Sequence, residues 1–226
     1  MKLVFILVSL VYFALLYASI KVMYRKDLKK YTLFKSMTSA GFMLLAVISF
    51  FAKDRSIVWF FPAFLCCFLG DYYLAIAKTE NGGLDKRKFA FGASAFKFAH
   101  LVFCFGLFRL SEYRIGFLFA VFGVLSMLHT YIANKTGAIA LGSGLKSNVI
   151  YSFLVASFFG FALDNAINNG FEYHTVIITV AALMFFASDT ILCYKYFGKK
   201  KRKWYVAVEL TLYYGAMFLL ATYPMY

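Results

Sequence analysis

Proline and acidic side chains are the scarce residues of this sequence. Only two prolines occur, Pro62 and Pro224, and ten Asp and Glu stand against 24 Lys and Arg. With so little proline, long apolar runs continue without a helix stop. Those runs also lack the period-two alternation of a membrane barrel strand, which excludes that class. The four cysteines, Cys66, Cys67, Cys104 and Cys193, all lie in apolar stretches and in no CxxC or Cys/His spacing. That excludes a disulfide framework and a cysteine-based zinc site. No GxSxG elbow is present, so a serine esterase is not expected.

What is abundant is apolar side chain. Hydrophobic residues make up 63% of the 226 residues, charged ones 15%, and the mean hydropathy is +0.75. A soluble domain carries roughly 25% charged residues. The composition is that of an all-α integral membrane protein, a single domain over residues 1–226 built as one bundle of about eight transmembrane helices. The expected crossings are Leu3–Met23, Leu33–Ala52, Ser56–Ala77, Phe89–Phe108, Ile115–Ala133, Asn148–Asn168, Tyr173–Tyr196 and Trp204–Pro224. Each has the roughly 20 residues that one crossing needs. The first resembles a signal peptide only superficially and is expected to be retained as a helix, because a basic cluster follows it.

The net charge of +14 resides in short loops, not on a nucleic-acid face, and no nucleic acid partner is expected. Sixteen Lys and Arg fall in the odd-numbered connections and five, Lys2, Lys53, Arg55, Arg109 and Arg114, on the opposite side. The positive-inside rule then puts the odd connections in the cytoplasm and both termini outside. The connection 134–147 holds three glycines and reads as a simple turn region.

Six of the acidic residues, Asp27, Asp54, Glu80, Asp85, Glu112 and Glu172, sit in loops, where solvation accounts for them. Asp71, Asp189, Glu209 and Asp164 do not. A carboxylate within an apolar crossing is costly and marks a site by default. With this topology Asp71, Asp189 and Glu209 share one depth, roughly 8–11 Å from the inner end of their helices at 1.5 Å per residue. Lys35, His129, Asn148 and Tyr151 fall near that end of their own helices, with Lys97 and His100 further up. Asp164 and His174 belong to the outer end. Gly92, Phe96 and His100 form one stripe at i, i+4, i+8, with Gly92 small enough to admit a close neighbour.

Two carboxylates in a low-dielectric pocket tend to divide the work, one protonated and one ionised. Such a pair suits hydrolysis of an acid-labile bond, an acetal or an enol ether. Protonation of an enol ether at its β-carbon gives an oxocarbenium ion that a carboxylate stabilises and water captures. A zinc site would need three ligands at one depth, which His100, His129 and His174 do not supply. A metal held by aspartates remains an alternative, and no cofactor is expected.

At these residues the chain resembles the YhhN-like family, the lysoplasmalogenases. The matching pieces are Gly70-Asp71-Tyr72-Tyr73-Leu74, Phe91-Gly92 with Phe96 and His100, Ser188-Asp189-Thr190-Ile191-Leu192, and Tyr213-Tyr214-Gly215-Ala216. The resemblance implies hydrolysis of the vinyl ether bond of lysoplasmalogens, giving a fatty aldehyde and glycerophosphoethanolamine or glycerophosphocholine. Asp71 and Asp189 match the family's motif aspartates and would be the acid/base pair, and His100 matches its fourth-helix histidine. Lys35, His100, Tyr151, Glu209, Tyr213 and Tyr214 are the candidates for binding or orienting a lysophospholipid drawn from the bilayer, with Lys35 toward the phosphate. The implied location is the bacterial cytoplasmic membrane. The chain departs from the family pattern at Lys35-Ser36, where the family often has Lys-Pro, at Phe103, and at Met217, where glutamine is common. The rival reading is a proton-coupled transporter or lipid-binding protein using the same carboxylates. Oligomeric state is not readable from the sequence.

Overall fold

The computed structural model describes residues 2–79, 83–111 and 116–225. Glu80, Glu112, Arg114 and Ile115, named above, lie outside the described residues. The helices are α1 (Lys2–Tyr24), α2 (Leu28–Ala52), α3 (Phe61–Ile76), α4 (Lys86–Leu110), α5 (Leu118–Lys135), α6 (Leu145–Asn168), α7 (Tyr173–Phe197) and α8 (Tyr205–Thr222). Among the described residues these eight, three of them extended by an adjoining 3₁₀ turn, are long and apolar enough to cross a membrane. The fold is all-α, with two isolated backbone bridges as its β-like pairing among the described residues.

Local chemistry sets the ends. α2 starts at Leu28, ahead of the expected Leu33, because Asp27 caps it, accepting from the Lys30 amide at 3.1 Å. That bond holds the Asp27 carboxyl below its ordinary range. Asp85 does the same for α4, accepting from the amides of Lys88 at 3.2 Å and Arg87 at 3.0 Å. It too is held low, first by the Lys88 amide. The third crossing is not one α-helix. Arg55–Phe60 is a 3₁₀ turn capped by Asp54, and α3 follows with Pro62 in its first turn, where the missing N–H costs nothing.

The described residues form two compact units, one running to Phe103 and resuming at Leu220, the other spanning Cys104–Leu219. In the first, Phe64 is the centre of the core. Its ring meets Phe42 at 5.9 Å, Phe103 at 5.8 Å and Phe60 at 6.5 Å. Glycine sets the closest approaches here. A methyl group at Gly70 would come 2.6 Å from the Phe96 ring, and one at Gly92 would come 3.0 Å from Leu74. The Gly92–Phe96 stripe of α4 is thus the close neighbour of α3, as its spacing suggested.

In the second unit α5 and α6 lie against each other through Gly123 and Gly160. A methyl group at Gly160 would strike the backbone of Leu118 and Phe119, which has no rotamer to give way. Beside it Ser157 Oγ donates to the Phe119 carbonyl at 3.0 Å. Asp164 Oδ2 accepts from the Leu118 amide at 2.8 Å, which satisfies one of the bare N–H groups at the start of α5. That gives Asp164 a structural role apart from any reaction. Gly160→Ala is therefore expected to destabilise the protein by about 1–3 kcal/mol, the usual cost of overpacking. The check is its thermal unfolding midpoint in detergent against the parent.

The connection 134–147 is more than a turn. The Ala140 amide donates to the Phe197 carbonyl at 2.8 Å and the Lys199 amide to the Ala138 carbonyl at 3.2 Å, so Ile139 and Gly198 form an antiparallel bridge. Ala133, Ile139 and Leu141 are buried together against Leu145, Cys193, Tyr194 and Phe197. The strap ties the loop before α6 to the end of α7.

Candidate functional site

Within the first unit the polar centre is Asp71 in α3. It is 1% exposed, and both its carboxylate oxygens face α2. Lys35 Nζ lies 3.0 Å from Oδ1, and Ser39 Oγ donates to Oδ2 at 2.7 Å. Lys35 and Ser39 are four residues apart, one turn of α2, so a single helical face supplies both partners. Lys35 is itself buried, with its ammonium on Asp71, so its position is that of a counter-ion inside the unit. His100 is fully buried in α4, two turns beyond Gly92.

Asp189 belongs to the second unit. It is 8% exposed, and Tyr151 of α6 donates its hydroxyl to Oδ2 at 2.5 Å. The two lie in the wall of a cavity of about 40 Å³. A site needs roughly 10–15 Å³ on this measure to hold a water molecule, so there is room for two or three. The wall also includes His129 and Thr130 of α5, Asn148 of α6, Cys193 and Tyr194 of α7, and Ile139 from the strap. The Tyr194 hydroxyl is 3.4 Å from His129 Nε2. A carboxylate, two phenols, an imidazole and several small hydroxyls thus line a space together with the apolar Ile139, Val155 and Phe186.

Glu209 of α8 is buried, and its carboxylate meets the ammonium of Lys195. Lys195, counted above among loop charges, is in the last turn of α7. The neighbouring Ser188 Oγ donates to the Glu209 carbonyl at 3.0 Å and joins α7 to α8 at that level. Tyr213 and Tyr214 are buried against each other at 4.8 Å, and Tyr213 stands edge-on to Phe185 at 5.2 Å. Glu209, Tyr213 and Tyr214 do not line the Asp189 cavity. Among the described residues no group of three or more His, Cys, Asp and Glu stands close enough to hold a metal ion.

The cavity is richer than the sequence reading had it. Tyr194 and Thr130 are not among the residues that the sequence singles out, and His129 joins them in the lining. The signal was present as periodicity. The lining follows i, i+3, i+4 on each helix, with i+7 added on α6 and α7: Ser126, His129 and Thr130; Asn148, Tyr151, Ser152 and Val155; Phe186, Asp189, Thr190 and Cys193. Three successive helices each present one polar stripe.

No curated protein and no solved structure is significantly similar to the chain. A family model described as the YhhN family matches residues 30–223. The match begins in the first turn of α2 and ends in the 3₁₀ turn after α8, taking in Asp71, Asp189 and the cavity, and on it the chain belongs to the YhhN family.

Proposed function

We propose that this protein hydrolyses the vinyl ether bond of lysoplasmalogen-type lipids within the bilayer. The observation that carries the reading is Asp189, a buried carboxylate beside a cavity with room for water and hydrogen-bonded to Tyr151. Family membership is consistent with this substrate class.

The reaction needs a proton and a water molecule. A carboxylic acid delivers its proton to the β-carbon of the enol ether, leaving an oxocarbenium ion and a carboxylate. Water adds to the cation, a carboxylate takes its proton, and the hemiacetal collapses to a fatty aldehyde and the glycerophospholipid alcohol. Asp189 lines the space water would occupy and serves both proton steps, giving its proton to the β-carbon as the acid and taking one from water as the resulting carboxylate. Tyr151 holds the carboxylate in one orientation. Asp71, ion-paired with Lys35, is the second aspartate on which turnover depends. We assign the odd-numbered connections to the cytoplasmic face of a bacterial inner membrane, from their excess of Lys and Arg.

The test is aldehyde release by purified protein in detergent micelles, where no gradient can exist. A hydrolase releases aldehyde from a vinyl ether lysophospholipid and leaves the saturated ether analogue intact. A proton-coupled transporter releases nothing, and that result would remove the proposal. Within the same assay Tyr151→Phe should lower turnover about tenfold, the value of one hydrogen bond to a charged group. An unchanged rate would detach Tyr151 from the chemistry.

A further inference from the structure

The strap brings two basic connections to one end of the second unit. Lys135 and Lys146 flank the loop before α6, and Lys199, Lys200, Lys201, Arg202 and Lys203 form the connection from α7 to α8. The Ile139–Gly198 bridge joins the two loops directly. All seven side chains are exposed, and neither residues 134–147 nor 197–205 contain a carboxylate. Trp204 and Tyr205 close the patch at the start of α8, their rings edge to face at 4.6 Å. Aromatic side chains at that level are interface anchors, so the cations stand at head-group height.

We infer that this end of the second unit is a docking surface for anionic phospholipid head groups of the surrounding bilayer. The charge pattern selects the ligand. A zwitterionic head group brings an ammonium that requires an acceptor, and the patch offers none of acidic character. A phosphate with no balancing cation meets cationic donors, among them the planar fork of Arg202. The surface therefore suits a lipid of net negative charge and not the zwitterionic lysolipid of the proposed reaction. Basic clusters immediately beside membrane helices attract such lipids within a Debye length.

The two tryptophans make the experiment direct, because Trp59→Phe leaves Trp204, beside the patch, as the one tryptophan of the chain. The full-length Trp59→Phe protein is reconstituted into phosphatidylcholine bilayers containing a minor fraction of phosphatidylglycerol. Either lipid carries bromine near its head group as the quencher. The expected result is quenching by brominated phosphatidylglycerol that corresponds to about fivefold or greater enrichment over its mole fraction. The enrichment should collapse in high salt and in Lys200→Gln/Lys201→Gln/Arg202→Gln, while brominated phosphatidylcholine quenches parent and variant alike. Equal quenching by the two lipids at equal mole fraction overturns the inference. So does enrichment that survives high salt, which needs no variant to be read.

Discussion

Lys35→Met should lower the stability of the folded protein by about 3–5 kcal/mol, the largest structural effect of any single change considered. The residue leaves Asp71 buried with Ser39 as a hydrogen-bond donor but without its counter-ion. Removing one member of a buried pair strands the other charge where water cannot reach it. Asp71→Leu should cost a similar amount by stranding Lys35. The double variant Lys35→Met/Asp71→Leu should recover most of either loss, because it removes both charges and keeps the volume. The measurement is a double-mutant cycle on unfolding midpoints in detergent. Single-variant costs below about 1 kcal/mol would mean that the pair behaves as a solvated surface bridge.

Asp189→Asn is expected to have the largest effect on activity, a fall in turnover of about 10²–10⁴-fold, the usual contribution of a positioned acid or base. The amide keeps the shape of the side chain, and its oxygen still accepts the Tyr151 hydroxyl. Insertion, folding and the cavity should therefore survive, and the loss should appear in kcat. Asp71→Asn should also abolish turnover, but with a drop in stability, since it leaves Lys35 without its partner charge. The two variants thus report different things. Aldehyde release retained in both would end the acid/base assignment.

The apolar runs made eight crossings legible, because a helix in lipid must be about 20 residues long and nearly free of charge. Asp71 and Asp189 stood out for the same reason: a short acidic side chain cannot reach water from within such a run. Their neighbours were harder to see. The pairing of Lys195 with Glu209 joins two helices through a loop, and spacing along one helix carries no trace of it. By its place beside the basic run 199–203, Lys195 reads as one more loop cation. The 3₁₀ start of the third crossing depends on Asp54 and Pro62 acting together, which hydropathy does not register. The strap at Ile139 rests on backbone bonds, and backbone groups are the same in every sequence.

That strap imposes an order of assembly. Ala138 and Ala140 take their backbone partners from Lys199 and Phe197, about 60 residues later in the chain. During synthesis α5 and α6 can insert and pair through Gly123 and Gly160 long before those partners leave the ribosome. The cavity wall at Ile139 has no fixed position until α7 has emerged and its last turn has docked. A nascent chain arrested after α6 would therefore hold a helix pair with an unfinished site. Completion of α7 is the event that joins Asp189 to Tyr151 and fixes Ile139 in the cavity wall.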